Sequence, residues 1–96
     1  MGDRLLLAAT ISVSSSSTND LITVTISVSG YNGAPFRAIV VLGTPTDIID
    51  QKNVYLANGS NIVKFANPFS STTTYFVSVT SQFGSNNSSG TYTSTI

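Results

Sequence analysis

Apolar and polar positions alternate with a period of two along most of this chain. From Leu5, the odd positions Leu5, Leu7, Ala9, Ile11 and Val13 are apolar while Thr10, Ser12 and Ser14 take the other side; Leu6 and Ala8 blur the start. From Leu21 the alternation is clean, with Ile22, Val24, Ile26 and Val28 set against Thr23, Thr25, Ser27 and Ser29. Successive side chains of a strand point to opposite faces, so both runs predict half-buried strands with hydroxyl-bearing outer faces. Turn chemistry fills the intervening SSSSTND, Ser14 to Asp20. No window holds the i, i+3, i+4, i+7 stripe of a helix, and β-branched residues dominate.

Further along, YNGAP (Tyr31 to Pro35) is a turn, and FRAIVVL (Phe36 to Leu42) is apolar nearly throughout, as a central strand is. GTPTD breaks it, and IIDQKN fits either a short edge strand or a loop. VYLANGSNIVKFA predicts a hairpin, with Val54 to Ala57 and Ile62 to Ala66 joined at Asn58-Gly59. TYFVSVTS puts Tyr75, Val77 and Val79 on one face; a loop is expected from Phe83 to Gly90, then a last strand in TYTSTI. Seven or eight short strands with no helix predict an all-β antiparallel sandwich, with a small closed barrel as the competing architecture. At 96 residues, one domain spanning 1–96 is expected.

Composition narrows the function. Charged residues make up 8% of the chain and balance to zero, against roughly 25% in ordinary soluble domains. That leaves no basic footprint for nucleic acid and little repulsion between copies. No stretch is long enough for a membrane helix, so no membrane insertion is expected. RLLLAA is too short for a signal-peptide apolar region, and Leu6 stands where a myristoylation pattern needs Ser or Thr, so the chain is expected to be mature or made without a cleaved signal. Low charge with abundant Ser, Thr and Asn is the composition of extracellular, cell-surface and virion domains, and that is the expected location.

The inventory for catalysis is poor. Without His there is no ordinary Ser triad, and without Cys no thiol chemistry or zinc site. A Ser–Lys pair would need Lys52 or Lys64 buried with a depressed pKa. Asp47 and Asp50 are read as turn and edge residues flanking II; as an acid–base pair or a calcium site they lack companions. No enzyme, metal or cofactor is expected.

The stretch from Ile62 to Ser89 resembles the later half of a fibronectin type III domain. That family runs Leu-x-Pro-x-Thr-x-Tyr-x-Val-x-Val into its sixth strand; here Phe69, Thr73, Tyr75, Val77 and Val79 fall in step, with Ser71 in place of the Pro. The same alternation occurs across immunoglobulin-like sandwiches, and the second strand has Ser27 and Val28 where the family carries its Trp. The resemblance implies a tyrosine corner at Tyr75, its hydroxyl bonded to nearby upstream backbone. It also implies that the loops after the second, fourth and sixth strands share one end, which would present Tyr31, Asn32, Asn58, Phe83 and Asn86 as a binding tip for a glycan or a protein. Asn58, Asn86 and Asn87 begin N-glycosylation acceptor patterns, all in predicted loops.

Two functions follow. In the first, the chain is a non-catalytic structural subunit of a filament, pilus-like fibre or virion decoration, associating through sheet edges with itself or with another surface or virion protein. Its assembly strand would be Leu5, Leu7, Ala9, Ile11 and Val13, with residues 1–14 exchanged into a neighbour by strand addition. In the alternative, it is a small adhesive or carbohydrate-binding module acting through the tip. Tyr31 and Phe83 capping the core is the plain reading of the same tip residues.

Overall fold

A computed structural model describes residues 9–94. They form seven strands: β1 Thr10–Ser17, β2 Leu21–Ser29, β3 Phe36–Gly43, β4 Ile48–Leu56, β5 Gly59–Ala66, β6 Thr73–Ser81 and β7 Gly84–Tyr92. Two antiparallel sheets, β1-β2-β5 and β4-β3-β6-β7, face each other as a sandwich. The arrangement is compatible with an immunoglobulin- or fibronectin III-like fold.

The period-two pattern produces the core directly. Ile22, Val24, Ile26 and Val28 of β2 face Ala38, Val40 and Leu42 of β3 and Tyr75, Val77 and Val79 of β6, all buried in one apolar cluster. Each buried aliphatic side chain contributes about 1.5–3 kcal/mol relative to exposure, so the two central strands of the larger sheet and the centre of the smaller one anchor the molecule. On the outer face of the small sheet the partners are Ser12 with Ser27, Ser14 with Thr25 and Ser16 with Thr23, a ladder of hydroxyls.

Three expectations change, and one open alternative is settled. First, β1 begins at Thr10 and runs through the serines to Ser17, which pairs with Ile22; Leu5 and Leu7 lie outside the described residues. A poly-serine run carries no strand signal of its own, but β2 supplies a complete ladder for it. Second, the stretch around Asn58-Gly59 is not a hairpin. β4 pairs with β3 and β5 with β2, so the chain crosses between sheets there. Asn61 drives the crossing: its Nδ2 donates to the carbonyls of Ala57 (2.9 Å), Gly59 (3.2 Å) and Ile26 (3.1 Å), and its Oδ1 accepts from the Ala57 N–H (3.1 Å). Third, IIDQKN is the first two-thirds of β4, a strand exposed over most of its length. Fourth, the predicted 83–90 loop is a two-residue turn at Gln82-Phe83 followed by β7, with Gly84 at φ +110° closing the turn.

The last strand therefore sits earlier than TYTSTI, ending at Tyr92. Its inward positions Asn86, Ser88 and Gly90 are small or polar. Gly90 pairs with Tyr75, and a Cβ there would lie 2.6 Å from the Tyr75 hydroxyl. The glycine is what lets the tyrosine ring lie across its neighbour strand.

Candidate functional site

The predicted tip assembles in part. Tyr31, Phe36 and Phe83 pack edge to face, with ring centroids 5.0 Å (Tyr31–Phe36), 5.5 Å (Tyr31–Phe83) and 4.9 Å (Phe36–Phe83) apart. Such aromatic pairs contribute about 0.5–1.5 kcal/mol each beyond area burial. The Tyr31 hydroxyl donates to the Ala34 carbonyl, and its N–H donates to Asn58 Oδ1 at 3.3 Å. Tyr31 is 7% exposed and Phe83 half-buried. The three loops thus converge, but their aromatic rings close the core. Asn32 and Asn58 are exposed there.

Asn86 does not belong to that tip. It lies on β7, half-buried, and its Nδ2 donates to the Ile11 carbonyl across the sandwich at 2.9 Å. The acceptor patterns at Asn86 and Asn87 are accordingly in a strand and not in a loop. A glycan on the Asn86 amide would remove the contact with Ile11.

Tyr75 is 1% exposed and stacked on Phe69 at 6.1 Å. Among the described residues no hydrogen bond joins its hydroxyl to upstream backbone, so the tyrosine-corner bond is not formed. The hydroxyl is directed over Gly90 instead, and the tyrosine with a bonded hydroxyl near the opposite end is Tyr92, which donates to Asn19 Oδ1 at 3.0 Å. Asp47 belongs to the β3–β4 turn, accepting from Thr46 Oγ1 at 3.2 Å, and Asp50 accepts the Gln51 N–H at 2.7 Å within β4.

Of the proposed assembly strand, Ala9, Ile11 and Val13 pack against the chain's own core. What the structure adds is the pairing of edges. β1 and β7 come together along one side of the sandwich; on the other side the edge strands are β4 and β5, linked by a lysine side chain. The β4/β5 side carries Asp50, Lys52 and Lys64. Lys52 reaches across it, its Nζ donating to the Lys64 carbonyl and lying 5.3 Å from the centroid of the Phe65 ring. The β1/β7 side carries no charged residue in either strand. Its sheets are joined by the Asn86–Ile11 hydrogen bond, and Ser15 Oγ is buried there with no hydrogen-bond partner. Sequence reasoning missed Ser15 and the role of Asn86, because both sit in runs that read as turn or loop.

Larger apolar groups are also exposed elsewhere. Ile48 and Phe76 flank Gly43 on the outer face of the four-stranded sheet, at 74% and 42% exposure, beside a shallow hollow that includes Val41 and Pro45.

No family model matches this chain, and neither does any curated protein or solved structure.

Proposed function

We propose that the chain is a non-catalytic structural subunit of an extracellular, cell-surface or virion assembly, built on an immunoglobulin- or fibronectin type III-like sandwich and associating through its sheet edges. The observation that carries this reading is the β1/β7 side: two adjacent edge strands without a single charged residue. Edge strands of monomeric proteins are ordinarily guarded by Lys, Pro, bulges or inward-pointing charge, because an open edge is a template for another chain. Zero net charge removes long-range repulsion between copies as well. The buried Tyr75, Val77 and Val79 face supports the fibronectin III-like reading, while the unbonded Tyr75 hydroxyl departs from it.

Sedimentation velocity over a concentration series, with negative-stain microscopy, tests the proposal. Oligomers or polymers that grow with concentration are expected. A monodisperse monomer at every concentration, decorating no particle, sinks it.

The adhesive or carbohydrate-binding alternative draws support from the convergence of the three loops. With Tyr31 and Phe83 turned into the core, its exposed groups are Asn32 and Asn58. Glycan-array binding lost in Asn32→Ala with Asn58→Ala would favour it; the absence of any glycan binding by the unaltered chain would remove it.

A further inference from the structure

We infer that the open edge of β1 pairs with β1 of a second copy, antiparallel, about a two-fold axis at Ser15. This rests on the proposal of edge association and specifies its partner and register.

The register follows from hydrogen-bond accounting. The Thr18 N–H donates to the Leu21 carbonyl at 2.8 Å, so the pair closing the β1–β2 turn is a bonded one. Bonded and unbonded pairs alternate in an antiparallel ladder. Ser16, Ser14, Ser12 and Thr10 therefore bond β2, and Ser17, Ser15, Val13 and Ile11 present their N–H and C=O groups to the open edge. Asn86 already occupies the Ile11 carbonyl. The groups left open span Val13 to Ser17, and that span is symmetric about Ser15.

Pairing two such spans antiparallel sets Val13 against the second copy's Ser17 on each side, with Ser15 against its own equivalent. Every backbone group left open between Val13 and Ser17 then gains a partner. No charge opposes the approach, because neither β1 nor the neighbouring β7 carries one. The result is an isologous contact that joins two three-stranded sheets into one of six. Asn86 sets its length by closing the strand at Ile11.

The chain has no Cys, so engineered thiols report the register cleanly. In the inferred pairing Ser14 faces Ser16 of the other copy as an unbonded pair, with Cα atoms about 4.5 Å apart, within disulfide reach. Full-length Ser14→Cys mixed with mass-tagged Ser16→Cys should oxidise mainly to the mixed dimer, with little of either homodimer. Ser15→Pro removes the central edge N–H and leaves the bonds to β2 in place; it should weaken dimerisation about tenfold or more in sedimentation equilibrium, at unchanged circular dichroism. Asn86→Ala, which does not alter β1, provides a second route: freeing the Ile11 carbonyl should tighten or lengthen the contact, never loosen it. Self-association without the mixed disulfide, unaffected by Ser15→Pro in folded protein, would overturn β1 pairing and leave edge association standing. A monomer at all concentrations would overturn both.

Discussion

The two long sides of the sandwich solve the same problem in different ways. On the β4/β5 side, Lys52 extends across the gap between sheets, donates to the Lys64 carbonyl and covers the Phe65 ring, while Asp50 and Lys64 add charge to both edges. On the β1/β7 side, the small inward residues Ser15, Ser88 and Gly90 let the strands approach closely, and a neutral amide, Asn86, makes the bridge. In the first arrangement a partner strand would have to desolvate ammonium and carboxylate groups. The second leaves main-chain groups available and presents no charge in β1 or β7 to desolvate. On the proposed edge association the first side is the guarded one and the second the receptive one, and the difference lies in which residue types fill the gap between sheets.

Substitutions can break that comparison. The largest effect is expected from Phe65→Ala, which empties a fully buried site under Lys52 and should cost about 3–5 kcal/mol in urea unfolding, a large share of a small domain's stability. Ile11→Ala, its counterpart on the receptive side at 8% exposure, should cost about 2 kcal/mol, at the low end of such truncations. Equal losses at the two positions would mean that the two sides are packed alike.

Gly90→Ala comes next. Its Cβ would meet the Tyr75 hydroxyl and ring, so about 1–3 kcal/mol of destabilisation is expected, read as a lower thermal midpoint. Little change would show that β7 can shift away from Tyr75. The two bridging amides give smaller effects that sharpen the contrast. Asn61→Ala removes four hydrogen bonds at the β4–β5 crossing and Asn86→Ala removes one at β7. A loss of about 2 kcal/mol is expected for the first and about 1 kcal/mol for the second, by chemical denaturation. The reverse order would make the β1/β7 bridge the stronger clasp. Smallest in stability is the pair Lys52→Thr with Lys64→Thr, whose side chains are exposed. Its thermal midpoint should barely move, yet sedimentation should show new association through the β4/β5 side. Unchanged association would mean that charge is not what guards that edge.

Legibility in the sequence followed signal strength. Strands β2, β3 and β6 alternate or run apolar as half-buried and central strands do, and their buried residues are the ones the pattern names. The serines of β1 and the SNNSSG of β7 carry no such pattern; each becomes a strand because a strongly patterned neighbour offers it a ladder. The convergence of Tyr31, Asn58 and Phe83 was implied by the resemblance to immunoglobulin-like sandwiches together with the strand count. Their use as core caps was not, since exposure depends on how Phe36 and Phe83 close over Tyr31. Asn86 looked like a loop residue and is a clasp, because its partner, Ile11, is 75 residues away.

By itself the sequence determined the all-β character, the faces of the central strands and the shortage of charge, all of which are local or additive properties of side chains. Tertiary structure alone decided which edges lie side by side, that β4 and β5 belong to different sheets, and that the uncharged strands meet on one flank. Those facts depend on pairings between distant segments, made by backbone hydrogen bonds that every residue type but proline offers alike. A period of two shows which way a side chain faces but not which strand lies next to it.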